Sequence, residues 1–192
     1  MSCLVLDAMG VIFKSADDVA ELLIPFIAEK SEFTDEVVVQ SAYLEASLGN
    51  ISADEFWGKV GVPSALEDEF LSRHRLNPGV TELLAEAKRK DIAVWCLSND
   101  VGRWSEKIRN NLGVEEFLKG SVISGDVGIR KPDREIYETF IQSSGYKIEE
   151  ILFIDDREMN VDAARGLGIE SVMFKPETGF TDAKKWISKH AL

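Results

Sequence analysis

The feature that most constrains the fold is a set of five short apolar segments rich in β-branched and aromatic residues. They cover residues 3–7, 92–97, 121–124, 151–155 and 170–174. The fourth, which contains Ile-Leu-Phe-Ile, is apolar without alternation, as is typical of strands buried on both faces. From the second segment on, helical patterns separate them, which favours a parallel sheet with helices on both faces. The sequence therefore predicts an α/β fold.

Four connecting segments repeat apolar residues at helical spacing, namely 80–90, 103–112, 133–144 and 160–167. In the first of them, Val80, Leu83, Leu84 and Ala87 fall on one face. An apolar stripe of this kind is typical of a helix that packs against a sheet. These segments are therefore predicted to be the helices that cover the sheet.

The segment 14–78 lacks this alternation of strands and helices, because its patterns are helical throughout. Residues 17–29 carry one apolar stripe, with Pro25 as an expected kink. Ser52-x-x-Glu55 and Ser64-x-x-Glu67 both match the capping box that precedes a helix. The pattern predicts a group of helices inserted after the first strand.

The return to the α/β pattern is marked by Asn77-Pro78-Gly79. We therefore expect an α/β core domain formed by residues 1–13 and 79–192, and a helical cap domain formed by residues 14–78. An insertion at this point lies above the carboxyl ends of the strands, where ligands bind in open α/β sheets. The inserted helices are predicted to act as a lid.

The net charge limits the possible partners, and the cysteine content indicates the redox compartment. The net charge of −12 argues against a nucleic-acid partner or an anionic membrane surface, so an anionic substrate needs locally concentrated positive charge. Cys3 and Cys96 lie in apolar segments without zinc-ligand spacing, as expected for buried thiols in a reducing compartment. With no leader pattern and no long apolar run, we expect a soluble cytoplasmic protein.

Polar residues cluster where the predicted strands end. The first strand ends at Asp7, the second at Ser98-Asn99-Asp100 and the fourth at Asp155-Asp156, while Arg130-Lys131-Pro132-Asp133 follows the third. In a parallel sheet these ends meet at one edge. Carboxylates brought together repel one another unless a cation separates them, and oxygen ligands of this kind suit Mg²⁺. With a lysine nearby, the site is predicted to hold a metal ion and a dianion.

These segments resemble a known family. Asp7-Ala-Met9-Gly10-Val, Ser98-Asn99, the Arg130–Asp133 segment with Ile136-Tyr137 behind it, and Phe153-Ile-Asp155-Asp156 resemble, in order, the four motifs of the haloacid dehalogenase (HAD) superfamily. The insertion at 14–78 resembles the helical cap of the first type. The resemblance implies a Rossmann-like core and, in most members, a Mg²⁺-dependent phosphatase. A few members are dehalogenases or mutases.

The resemblance also implies residue roles. Asp7 would be the nucleophile that forms an aspartyl-phosphate, Ser98 would donate to a phosphoryl oxygen, and Lys131 would offset charge; these three form the catalytic set. The implied substrate-binding residues are Met9, Gly10, Ser98, Asn99 and Lys131. The implied Mg²⁺ ligands are Asp7, the Met9 carbonyl, Asp155 and Asp156. Asn160 is expected to orient the site or to cap the following helix.

Met9 departs from the usual phosphatase motif. A second aspartate normally stands there and protonates the leaving oxygen, whereas this chain has the DxxG variant. General acid–base help contributes about 10²–10⁴-fold, so its loss should slow the hydrolysis of alkyl phosphates. Sugar 1-phosphates and acyl phosphates, whose leaving groups are better, should suffer less. Asp17, Asp18 and the rest of the cap offer substitute acids that the sequence does not rank.

The leading hypothesis is a Mg²⁺-dependent phosphatase for a small phosphorylated metabolite, without nucleic-acid or membrane partners. One alternative is a catalytically weak relative that binds phosphate. A second is a 2-haloacid dehalogenase, which needs no acid at Met9. The Asp155-Asp156 pair and the lack of any arginine before Arg73 argue against a dehalogenase.

Other residues are given structural interpretations. His74 and His190 lack a matching partner in the sequence and are expected at the surface. Trp57, Trp95 and Trp104 are expected to pack in the core or the cap, with Trp57 also a candidate to line the substrate lid. The sequence does not indicate an oligomeric state.

Overall fold

The computed structural model of the chain describes residues 2–33 and 35–190. Its five strands form one parallel sheet in the order β3-β2-β1-β4-β5. Each strand begins and ends within one residue of a predicted apolar segment, so the α/β prediction is confirmed. The strands are β1 (Cys3–Leu6), β2 (Ala93–Ser98), β3 (Gly120–Ile123), β4 (Ile151–Asp155) and β5 (Glu170–Met173).

Helices fill the connections between these strands. After β1 come a π-helical turn (Val19–Leu23), α1 (Ile24–Lys30), α2 (Glu36–Ala46), α3 (Ala53–Lys59) and α4 (Glu67–Leu71). The remaining helices are α5 (Val80–Arg89), α6 (Gly102–Asn111), α7 (Ser124–Val127), α8 (Arg134–Ser144), α9 (Glu158–Gly166) and α10 (Thr181–His190). Single 3₁₀ turns occur at Ser64–Leu66, Glu115–Phe117 and Ile148–Glu150. In the described ranges, none of these helices is both long and apolar enough to cross a membrane.

Successive strand residues point to opposite faces of the sheet, and each face has its own apolar cluster. Cys3 and Val5 of β1 face a cluster that includes residues of α8 and α9. Leu4 and Leu6 face a larger cluster that includes residues of α5, α6 and α10. The inserted helices between β1 and α5 contribute to this second cluster, so they share one continuous apolar core with the sheet.

Three local expectations for the insertion have different outcomes. The Ser52–Glu55 capping box is present, with the Glu55 amide donating to Ser52 Oγ and the Ser52 amide donating to Glu55 Oε2. The Ser64–Glu67 box is wrong, because α4 has no side-chain cap and the Glu67 carboxylate points elsewhere. Pro25 does not kink a regular helix; it lies in the first turn of α1, where π-type hydrogen bonding gives way to α-type.

The Glu67 carboxylate joins the insertion to α6. It accepts hydrogen bonds from the indoles of Trp57 (3.0 Å) and Trp104 (2.7 Å), from Arg103 (2.6 Å) and from Lys107 (2.9 Å). Burial raises the pKa of Glu67, and these donors outweigh burial so that the pKa lies below its usual value. Both tryptophans are buried, as predicted for packing residues, and Trp57 is directed to Glu67 instead of a substrate.

Two further buried polar residues lie where the insertion returns to the sheet. The Asn77 side-chain amide donates to the carbonyls of Gly10 (2.8 Å), Val11 (2.9 Å) and Phe13 (3.2 Å), which hold the loop after β1. His74, expected at the surface, is 1% exposed, so that expectation was wrong. Nothing in its local sequence marks it as buried, because its environment comes from residues distant in the chain.

Candidate active site

The polar residues after the strands meet around the ammonium group of Lys131. Lys131 Nζ donates to Asp7 Oδ1 (2.8 Å), to Asp155 Oδ2 (2.7 Å) and to the Leu97 carbonyl (2.7 Å). Asp7 follows β1, Asp155 ends β4 and Leu97 belongs to β2, so three neighbouring strands supply the acceptors. All three N–H bonds of the ammonium group are engaged, which fixes the position of its charge.

Asp155 is fully buried and its carboxylate is saturated with donors. Besides Lys131, the Asn160 amide donates to Oδ1 (3.0 Å) and Oδ2 (3.1 Å), and the Arg157 backbone amide donates to Oδ1 (2.9 Å). The Asn160 carbonyl in turn accepts from the Tyr137 hydroxyl (2.9 Å). Asp155 is thus a fixed negative charge that holds Lys131 beside Asp7.

Asp156 has a different environment from its neighbour. Its carboxyl is half-buried, and Oδ1 is buried without a hydrogen-bond partner among the residues described. Gly10, at φ +77°, leaves room for it, because a Cβ there would lie 2.2 Å from Asp156 Oδ2. Asp7, Asp155 and Asp156 each offer an oxygen within 4.8 Å of the others. A cluster of three carboxylates in which Asp156 Oδ1 has no partner in the described part of the chain fits a divalent cation.

The three carboxylates of the site carry more negative charge than Lys131 balances, and the pKa shifts of these groups reflect this excess. Burial, followed by the charge of Asp155, raises the pKa of Asp7 to about 7 against the lowering effect of Lys131. Burial and Asp155 also raise the pKa of Asp156. Burial lowers the pKa of Lys131, but Asp155 and Asp7 outweigh it and leave the pKa above its usual value. One lysine against three carboxylates leaves a negative excess that a bound cation relieves.

Ser98 and Asn99 follow one another but have different contacts. Ser98 Oγ is buried and has no partner in the described part of the chain, so it is free to donate to a ligand. The Asn99 side chain is engaged with the Lys131 backbone, donating to its carbonyl (2.8 Å) and accepting from its amide (2.8 Å). Asn99 therefore fixes the Lys131 loop.

A cavity of about 60 Å³ lies between the sheet edge and the inserted helices. Asp7, Met9 and Lys131 border it from the α/β side, and Asp18 and Tyr43 border it from the insertion. Arg130 and Arg157 add positive charge at its boundary. Met9 thus lies in the cavity wall beside the carboxylates, where it contributes no acid–base chemistry.

Sequence reasoning left Tyr43 and Asp100 without a role. Burial, followed by the charges of Asp18 and Asp100, raises the pKa of Tyr43 well above its usual value, so the phenol stays protonated. Asp100 is fully buried, and its Oδ2 has no partner within the described ranges. Its place directly after Ser98-Asn99 was the one available signal, whereas Tyr43 resembles any apolar residue of its helix.

Comparison with known families is consistent with this geometry. The family model described as haloacid dehalogenase-like hydrolase matches residues 1–168. The chain therefore belongs to the haloacid dehalogenase-like hydrolases.

Particular relatives include two curated phosphatases. The chain is 28% identical over 129 residues to the sesquiterpene phosphatase astK of Aspergillus oryzae, a match that covers 63% of this chain and 66% of that protein. It is 31% identical over 101 residues to the phosphoserine phosphatase of Thermus thermophilus, covering 52% of this chain and 41% of that protein. The chain thus spans about two thirds of the length of the first relative and less than half of the second.

Among solved structures, a HAD family enzyme from Bacteroides thetaiotaomicron, described as a magnesium complex, superposes with a TM-score of 0.79. The match covers 96% of this chain and 98% of that one at 22% sequence identity. At this identity the likeness shows that the two chains share a fold.

Proposed function

We propose that this chain is a Mg²⁺-dependent phosphatase that hydrolyses a small phosphorylated metabolite through an aspartyl-phosphate on Asp7. The observation that carries the proposal is the Lys131 ammonium group, held between Asp7 and Asp155 beside the unpartnered Asp156 Oδ1. A fixed cation next to a candidate nucleophile is what transfer of a phosphoryl dianion requires. The phosphatase names of two relatives support this assignment.

The proposed metal ligands are Asp7, Asp156 and the Met9 carbonyl, with Asp155 in the same acidic cluster. The buried, unpartnered Asp156 oxygen and the close approach that Gly10 permits support this ligand set. Because both Asp155 oxygens already accept hydrogen bonds from protein groups, we assign Asp155 mainly to holding Lys131. When bound, Mg²⁺ supplies positive charge beside the transferring phosphoryl group.

In the proposed reaction, Asp7 attacks phosphorus while the bond to the leaving alcohol breaks, and water then attacks phosphorus and frees Asp7. Ser98 Oγ donates to a phosphoryl oxygen, and Lys131 offsets charge on Asp7 and the phosphoryl group. Met9 forms the adjacent cavity wall, Gly10 in the same loop leaves room for Asp156, and Asn99 positions Lys131. Each role rests on a contact, or a missing partner, in the site described above.

We propose that the inserted helices form a cap of the first type over this site. Their Asp18 and Tyr43 border the same cavity as Asp7, so a bound phosphoryl group is covered from bulk water. A cavity of about 60 Å³ favours a small substrate over an extended one.

The test is release of inorganic phosphate from sugar phosphates, acyl phosphates and p-nitrophenyl phosphate, with and without Mg²⁺. We expect turnover that requires Mg²⁺ and disappears in Asp7→Asn. A matched control is Asp162→Asn, because that carboxylate is on the exposed side of α9 and pairs with Arg165. Turnover that survives in Asp7→Asn would refute the proposed nucleophile.

Two alternatives give different results in the same set of assays. Binding of inorganic phosphate without turnover of any ester identifies a phosphate-binding relative. Halide release from 2-chloropropionate without added metal identifies a dehalogenase, for which Met9 is no handicap.

A further inference from the structure

We propose that Asp18, backed by His74, is the proton donor that replaces the aspartate missing at Met9. This inference rests on the proposed phosphatase function and assigns one more catalytic residue to it. It starts from a deficiency of the site, because neither Met9 nor the fully engaged Lys131 can protonate a leaving oxygen.

Asp18 has the right placement for this role. It comes just before the π-helical turn of the insertion, is 6% exposed and borders the same cavity as Asp7. Among the residues described, no hydrogen-bond donor occupies its carboxyl group, and its only ion-pair contact is with His74. An acid on the cap side of the cavity faces the part of a substrate that extends away from Asp7.

His74 supplies the proton-holding partner. Its Nδ1 lies 3.1 Å from the Leu71 carbonyl. Because a carbonyl only accepts, the proton of the neutral ring is on Nδ1 and Nε2 is an acceptor. That Nε2 is buried, has no hydrogen-bond partner in the described ranges, and lies 4.0 Å from Asp18 Oδ2. A protonated Asp18 that rotates toward it donates to Nε2, and both groups are then satisfied.

The other charged and titratable groups around Asp18 come from four further parts of the chain. Asp100 lies in the loop after β2, Tyr43 on α2, and Arg130 and Arg157 at the cavity boundary. Burial, followed by the charge of Asp18, raises the pKa of Asp100 well above its usual value.

Every proton in the proposed reaction is accounted for. In the first half, an Asp7 oxygen bonds to phosphorus, the bond from phosphorus to the leaving oxygen breaks, and that oxygen takes the proton of the Asp18 carboxyl group. In the second half, water attacks phosphorus, gives its proton to the Asp18 carboxylate, and the bond to Asp7 breaks. The products are alcohol and inorganic phosphate, and Asp18 ends protonated as it began.

The experiment compares an alkyl phosphate with p-nitrophenyl phosphate, whose leaving group needs no proton. Asp18→Asn should lower kcat for the alkyl phosphate by about 10²–10⁴-fold, the usual contribution of a general acid. It should lower kcat for p-nitrophenyl phosphate by less than about tenfold. The matched control is Asp162→Asn, which removes an exposed carboxylate on α9 that pairs with Arg165, and should affect neither substrate.

A rescue separates proton donation from structural support. Adding Met9→Asp to Asp18→Asn restores an acid at the usual place and should recover alkyl phosphate turnover. His74 is a positioning residue, so His74→Gln should shift the pH profile of kcat for the alkyl phosphate with a smaller loss than Asp18→Asn. Thermal unfolding of each variant checks that the fold persists.

Equal losses on both substrates, a raised KM with unchanged kcat, or no recovery on adding Met9→Asp overturns the assignment of Asp18 and leaves the phosphatase intact. Absence of wild-type turnover on every ester overturns the phosphatase and this assignment together. Loss on the alkyl phosphate alone, with recovery in the double variant, supports it.

Discussion

The two sides of the candidate active-site cavity are built differently. On the sheet side, Lys131 is held by contacts of 2.7–2.8 Å to Asp7, Asp155 and a backbone carbonyl. On the insertion side, Asp18 and His74 lie 4.0 Å apart, with Nε2 of the histidine unpartnered in the described structure. The groups to which we assign the phosphoryl charge are thus fixed before a substrate binds, whereas the groups to which we assign the proton are not in hydrogen-bond contact with each other.

Topology explains the difference. Ends of parallel strands meet at one edge of the sheet, so residues from β1, β2 and β4 are brought together by the register of the sheet itself. The insertion borders the cavity through Asp18, just before the π-helical turn, and Tyr43, in the last turn of α2, whereas its attachment at Glu67 lies against α6. The following four predictions test this contrast, from the largest expected effect to the smallest.

Removing the central cation should have the largest effect on the sheet side. Lys131→Met leaves Asp7 and Asp155 as neighbouring buried carboxyl groups without their counter-charge. We expect a loss of about 3–5 kcal/mol in the free energy of unfolding and a fall of about 10²–10³-fold or more in turnover. Denaturant unfolding and phosphate release measure the two effects.

The control is Lys175→Met, an exposed lysine whose removal should change stability by less than about 0.5 kcal/mol. Lys131→Met combined with Asp155→Asn should recover part of the stability and none of the turnover. A single Lys131→Met variant as stable as the wild type would contradict the account of Lys131 as the centre of the site.

Disrupting the attachment of the insertion should reduce stability more than chemistry. Glu67→Gln removes the charge shared by Arg103 and Lys107, and we expect unfolding to be easier by about 2–3 kcal/mol. Turnover of p-nitrophenyl phosphate should stay within a few-fold of wild type. The matched variant Glu69→Gln, in the same helix, breaks an exposed pair with Lys30 and should cost less than about 1 kcal/mol. Equal costs for the two glutamates would show that burial of Glu67 adds nothing.

Mg²⁺ affinity should depend on pH through Asp7. Because the pKa of Asp7 in the metal-free protein is about 7, Mg²⁺ must displace a proton from it at lower pH. We therefore expect affinity to fall about tenfold per pH unit below 7 and to level off above it. Calorimetric titration measures this, with Asp7→Asn as a control that binds weakly and lacks the transition near pH 7. Affinity constant across this range in the wild type would exclude a protonated Asp7.

The two capping-box sequences should show the smallest difference. Ser52 caps α3, so Ser52→Ala should cost about 1 kcal/mol in unfolding free energy. Ser64 has the same spacing to a glutamate but caps no helix, so Ser64→Ala should cost less than about 0.5 kcal/mol. Thermal unfolding of both variants compares them directly, and similar costs would mean that Ser64 stabilises its 3₁₀ turn as strongly as a helix cap does.

The sheet and its polar edge could be predicted because their signals are local. An apolar run that ends on Asp7 or Asp155 shows both the strand and the place where the side chain emerges. The sequence could not show that Asp155 is saturated while Asp156 is not, because that depends on Asn160, in the first turn of α9, and on Gly10, in the loop after β1. Asp155 and Asp156 are the same residue type in the sequence, and only their three-dimensional surroundings distinguish them.

The insertion was harder to interpret because its polar residues interact over long sequence distances. Ser64-x-x-Glu67 matched a capping box, yet the Glu67 carboxylate accepts hydrogen bonds from the indoles of Trp57 and Trp104. Trp104 lies in α6, outside the insertion. His74 looked isolated for the same reason, since Asp18 is far away in the chain. Local pattern rules fail where a buried polar group finds its partner through tertiary packing.

The most direct test of the central claim is to find the covalent intermediate. Wild-type protein turning over its best phosphate ester with Mg²⁺ is quenched in acid, and the phosphorylated peptide is located by mass spectrometry. The account predicts one phosphoryl group on the peptide that carries Asp7, and none in Asp7→Asn. A phosphoryl group on any other residue, or steady turnover in Asp7→Asn, would contradict it.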